Sequence, residues 1–114
     1  MTLRRDWFKR HVEILAQVAG TVLGLKRAGQ VQQAEAEAAR SFQQVFGMDG
    51  RLALALPFKD FIDLAFRGVR PSGEALAALA GHFELWADLL EASGRADEAA
   101  LARERAGQCR QLPP

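Results

Sequence analysis

The sequence predicts an all-α fold of about five helices, joined as antiparallel helix-turn-helix pairs, and three observations carry that expectation. First, one turn pattern occurs twice, as LKRAGQVQQAEAEAA over Leu25 to Ala39 and as LEASGRADEAALARE over Leu90 to Glu104. Each copy has a leucine, a glycine four residues on (Gly29, Gly94), a small apolar residue two further (Val31, Ala96) and an alanine three further (Ala34, Ala99). Glycine takes the left-handed conformation that ends a helix, and alanine lets the next helix pack close. Second, apolar residues elsewhere recur at three- and four-residue steps, the period of a helix face. Third, the one alternating stretch, Leu52 to Leu56, has no second strand to pair with, and a lone strand is unstable.

The first helix is expected from about Leu3 to Arg27, with Thr2 as its N-cap and Asp6 in its first turns. Trp7, His11, Ile14, Val18, Val22 and Leu25 form one stripe, and Phe8, Val12, Leu15 and Ala19 a second beside it. Two stripes imply more than one packing neighbour. Ala16, Gly20 and Gly24 stand four apart, and an interior glycine costs about 1 kcal/mol against alanine, so close approach of another helix is expected there. The second helix runs from about Gln30 to Phe46, buries Val31, Ala34, Ala38, Phe42 and Val45, and stops at Gly47.

Residues 49–56 read as a short helical turn or an extended linker. Pro57 suits the first position of the third helix, where its missing N–H is not needed. Phe58, Phe61, Ile62, Ala65 and Phe66 form its apolar face through about Arg67, and Gly68 and Pro71 close it. Ser72 caps the fourth helix, about Gly73 to Ala92, whose stripe is Leu76, Leu79, Ala80, Phe83, Trp86, Ala87 and Leu90. The fifth runs from about Ala96 to Gln111 on a small face of Ala99, Ala102, Ala106 and Cys109. Pro113 and Pro114 cannot continue it.

The 114 residues suit a single domain, 1–114. A net charge of +1 gives the whole molecule no strong pull toward polyanions. Cys109 is the only cysteine, which excludes an internal disulfide and fits a reducing compartment. The apolar stretch from Val12 to Leu25 is broken by Glu13 and Gln17, too short to span a membrane and without a cleavage site. A cytoplasmic protein of bacterial type is therefore expected.

The second pair resembles a tetratricopeptide repeat. Phe83, Ala87, Leu90, Gly94, Ala99 and Ala106 match its aromatic, small, large, glycine, alanine and alanine positions, with Trp86 at a large apolar one. Ala96 and Arg103 depart from the pattern, and no proline follows the second helix of the pair. The first pair departs at Val22 and Ser41. Over its length, through RRDWFKR, GLKRAGQVQQA and LEASGRADEAALARERA, the chain also resembles an uncharacterised family of short bacterial helical proteins. That resemblance implies a tetratricopeptide-like fold and supplies no functional residues.

No chemical signature emerges. His11 and His82 lack a second ligand at helical spacing, so neither a metal nor a cofactor is expected. Cys109 reads as a small core residue near a helix C-terminus, where the dipole opposes a thiolate. Ser41, Ser72 and Ser93 have no base nearby in sequence. The carboxylate pairs Asp60/Asp63 and Glu84/Asp88 read as solvated helix surface. An enzyme would need Glu13, His82, Glu84 or Asp88 to converge, and the expectation is that the chain is not one.

The expected function is contact with an unidentified protein partner, self-association as a homodimer included, through the first helix or the middle segment. Arg5, Trp7, Phe8, Lys9, Val12, Gly20 and Gly24 are the candidate interface: the aromatic set is expected in the core, yet five helices cannot hide both stripes and every phenylalanine equally well. The alternative is a nucleic-acid accessory role for Arg4, Arg5, Lys9 and Arg10, disfavoured by the balanced charge and the absence of a recognition module.

Overall fold

The computed structural model describes residues 2–113, with side chains from Trp7 onward. Helix makes up 81% of the chain, and the described residues contain no strand. The order is α1 (Thr2–Arg27), α2 (Val31–Phe46), α3 (Gly50–Ala55), α4 (Phe58–Ala65), α5 (Gly73–Ala92) and α6 (Ala96–Gln111).

The two glycine turns have the same geometry. Gly29 and Gly94 sit at φ 79° and 80°. In the first turn the Gln30 N–H donates to the Leu25 carbonyl at 2.9 Å and the Gly29 N–H to Lys26 at 3.0 Å. In the second, Arg95 donates to Leu90 at 2.8 Å and Gly94 to Glu91 at 3.0 Å. This crossed pair of bonds satisfies carbonyls that the helix end would otherwise leave bare. Four residues beyond Gln30 and Arg95, Ala34 and Ala99 are fully buried and donate back to them. The small side chain is what lets each return helix settle on its partner.

Among the described residues six helices form rather than five, because Gly50–Ala55, within the stretch expected as a short helical turn or an extended linker, is a helix of its own. The Asp49 side chain accepts the Arg51 N–H at 2.8 Å, and that cap starts α3. The leucine alternation misleads: Leu54 is buried while Leu52 is 45% exposed. Pro57 is the N-cap of α4, one position earlier than the sequence suggested, and α4 stops at Ala65 rather than near Arg67. Arg67 itself turns left-handed at φ 53°, followed by Gly68 at φ 75°. Thr2 is already helical, so it is the first residue of α1 instead of its cap. Ser72 caps α5 as expected, accepting the Ala75 N–H at 3.1 Å.

Helix α5 is the centre of the molecule and packs against α1, α2 and α6. Phe42 of α2 meets Phe83 and Trp86 of α5, each at 5.2 Å between rings. Phe61 ties α4 to Phe83 at 5.7 Å. A second aromatic group joins Trp7, Phe8 and His11 of α1 to Phe46 and Phe66. No phenylalanine or tryptophan is exposed: Phe8, Phe42, Phe61, Phe66, Phe83 and Trp86 are buried, and Trp7, Phe46 and Phe58 are half-buried against them.

Candidate functional site

Both stripes of α1 are buried or half-buried, one toward α2 and one toward α5. Between α1 and α5 a shallow apolar groove of about 390 Å³ remains open. Val12, Ala16 and Leu23 form one wall and Ala77, Gly81 and Leu85 the other. Leu23 is 37% exposed. Alanine and glycine on both helices leave the groove wide and smooth, because few side chains reach across it.

The candidate interface residues divide between this face and the core. Val12 lines the groove. Gly20 and Gly24 are exposed on α1, and a Cβ added at either would meet nothing within 4 Å. The close approach of another helix expected at these glycines is therefore not found among the described residues. Phe8 is 7% exposed, and Trp7 stacks edge-on to His11 at 4.6 Å, so both rings are engaged within the molecule. Lys9 and Arg10 are exposed, whereas the side chains of Arg4 and Arg5 lie outside the described residues.

The groups an enzyme would have needed are not brought together. Glu84 pairs with Arg110, and Asp88 lies 3.1 Å from Arg103, both across the α5–α6 hairpin. His82 is on the buried side of α5, and Glu13 is exposed on α1. No group of three His, Cys, Asp or Glu fit to hold a metal occurs among the described residues.

One contact was not legible from spacing along the chain. His82 Nε2 lies 2.7 Å from Ser41 Oγ and 3.0 Å from the Ala38 carbonyl. The Ser41 hydroxyl donates to the same carbonyl at 2.6 Å. These bonds assign the proton to Nε2, since a bare nitrogen would face the carbonyl oxygen lone pairs. The serine proton is thus directed at the backbone, and both side chains are enclosed, at 2% and 4% exposure. Burial pushes the His82 pKa down to about 4, so the ring is neutral at pH 7. The arrangement is a polar latch between α2 and α5. Cys109 is likewise enclosed, its thiol pushed up to about 12 by burial, with Arg110 and Arg105 pulling weakly the other way.

A second open region lies where α2, α3 and the α5–α6 turn meet. It is a cavity of about 430 Å³ bordered by Glu35, Arg40, Asp49, Arg51, Arg95 and Trp86. Glu35 of α2 pairs with Arg95 at the start of α6, and Arg95 also binds Glu98 at 2.7 Å. Behind it, Arg105 of α6 is buried and donates to the Leu54 and Leu56 carbonyls at 3.2 and 2.6 Å, satisfying the C-terminal end of α3. The sequence reading named Ser41 and His82 but not their pairing, and it did not anticipate the burial of Glu35 and Arg105. The signal was present: each stands three or four residues from apolar positions of its own helix stripe, where burial is imposed whatever the residue type.

No protein-family model, curated protein or solved structure matches the chain, so the resemblances read from its sequence rest on its own residues alone.

Proposed function

We propose that this chain is a small tetratricopeptide-like domain that works by protein–protein contact, pairing first of all with a second copy of itself through the α1–α5 face. Support for the repeat-like arrangement comes from the matching turns and from the packing of α5 against both helices of the first pair. The observation that carries the functional reading is the bare line of Ala16, Gly20 and Gly24 beside the apolar groove. Two interior glycines cost the isolated helix about 1 kcal/mol each. Among the described residues nothing recovers that cost, because a Cβ at either position would meet no neighbouring group within 4 Å. Close approach of a second α1 about a two-fold axis recovers it and covers Leu23 and the groove.

Sedimentation equilibrium over a wide concentration range tests the reading. The native chain should reach a dimer, and Leu23→Glu, on an exposed position, should dissociate it while leaving helix content unchanged. A native chain that stays monomeric throughout, or a Leu23→Glu dimer of undiminished stability, would remove self-association through this face.

A further inference from the structure

We propose that His11 and Arg67 form an acid-operated release: a proton on the imidazole loosens the turn between α4 and α5, residues 66–72, from α1, while the core of α2, α5 and α6 stays closed. Neither residue borders the α1–α5 groove, so the release does not depend on what that face binds.

The turn meets α1 through Phe66. Its ring is 1% exposed and lies 5.9 Å from Phe8, 6.0 Å from His11 and 6.4 Å from Trp7. Directly after it the backbone turns left-handed at Arg67, φ 53°, a conformation that strains any residue with a Cβ. The burial of Phe66 keeps that strained turn in place.

The enclosure of His11 is apolar. The imidazole is 5% exposed, between Trp7 at 4.6 Å and Phe46 at 5.3 Å, and its Nδ1 has no hydrogen-bond partner. His82, by contrast, is tied to the Ala38 carbonyl at 3.0 Å. The charges around His11 do not favour a cation either. Lys9, Arg10 and Glu13 are exposed on α1 itself, Asp63 is exposed near the end of α4, and Glu74 is exposed in the first turn of α5. The last turn of α2 carries no charge. Among the described residues no carboxylate pairs with the imidazole. Burial, and then the Arg67 guanidinium, hold its pKa below the usual 6.5.

An imidazolium at this place gains no acceptor at Nδ1 and faces a like charge. Outward movement of Phe66 and Arg67 lets both cations reach water and relaxes the left-handed backbone. The open form therefore holds the proton more tightly than the closed one, so acid favours opening and the contact is at full strength above pH 6.5.

Amide hydrogen exchange of the full ¹⁵N-labelled chain, read by NMR at pH 7 and pH 5 and corrected for intrinsic rates, tests the release. The Gly68 and Val69 N–H groups, bonded to the Asp63 and Phe66 carbonyls at 2.8 and 2.9 Å, report on the turn. Phe83 reports on the core. Protection at Gly68 and Val69 should fall at pH 5, by up to about tenfold for each pH unit by which enclosure lowers the His11 pKa. Their exchange should be nearly indifferent to low concentrations of urea, while Phe83 keeps the steep dependence of global unfolding. His11→Phe keeps a ring and has no proton to gain, so the fall should vanish. Arg67→Gln removes the like charge, so it should raise the pKa of the His11 ring and shrink the fall. A native His11 pKa of 6.5 or above, followed on the ring resonances, would mean that the aromatic rings welcome the charge and would overturn the proposal. So would unchanged protection at Gly68 and Val69, a urea dependence there as steep as at Phe83, or a fall retained in full in either variant.

Discussion

His82 illustrates how enclosure sets a proton affinity. Its ring would titrate near 6.5 in the unfolded chain and near 4 in the folded one. The unfolded state therefore binds the proton first as pH falls. Stability should be at its full value above about pH 6.5 and decline progressively toward pH 4, by about 3 kcal/mol over that window. His11 acts in the same direction, lowered by burial and then by Arg67. Urea unfolding at pH 7 and pH 4.5 measures the loss. His82→Gln can keep a donor toward Ala38 and has no proton to gain, so its stability should fall less over the same interval. An equal fall in the variant would assign the acid sensitivity elsewhere. The existence of such a buried polar residue was readable from its place between Leu79 and Trp86. Its partner, 41 residues away, was not, because a hydrogen bond across two helices leaves no mark on local spacing.

Glycine has different meanings at different positions of the chain. At Gly94 the backbone is left-handed, and any Cβ is strained there. At Gly50 the conformation is helical but the space is filled by a carbonyl and two rings. At Gly20 and Gly24 both the conformation and the space permit a side chain. Alanine should therefore destabilise at Gly94 and at Gly50, by about 1–2 and about 1–3 kcal/mol respectively. It should stabilise at Gly20 and at Gly24 by roughly 1 kcal/mol each. Urea unfolding at concentrations where the chain is monomeric checks all four. Destabilisation at Gly20 would show that α1 is already packed on that side. Capping and periodicity made most helices legible to within a residue or two. Helix α3 was the exception, since six residues are too few to show a period and its stability comes from Asp49 at one end and Arg105 at the other.

The whole molecule measures 43 × 26 × 21 Å. Helix α1, at 26 residues and a rise of 1.5 Å each, spans about 39 Å, nearly the long dimension. Cys109 lies deep enough to report on the opening of this body. Its thiol is 1% exposed and stays protonated at neutral pH, its pKa pushed up to about 12. An aromatic disulfide reagent should leave the native chain essentially unreacted and label it at the rate of unfolding, independent of reagent concentration when reagent is abundant. Labelling at the rate of a free thiol would mean that the α5–α6 hairpin opens locally.

By itself the amino-acid sequence determined the helical class, both glycine reversals and most of the buried stripes, because these follow from backbone preference and from a period of 3.6 residues. Only the tertiary structure decided that Gly20 and Gly24 face open space, that the aromatic residues close on one another, and that Ser41 and His82 meet. It alone placed Arg67 beside the enclosed His11. Those outcomes depend on how the two hairpins are set against each other, and that angle is fixed by the volumes of side chains distant in sequence rather than by any local rule.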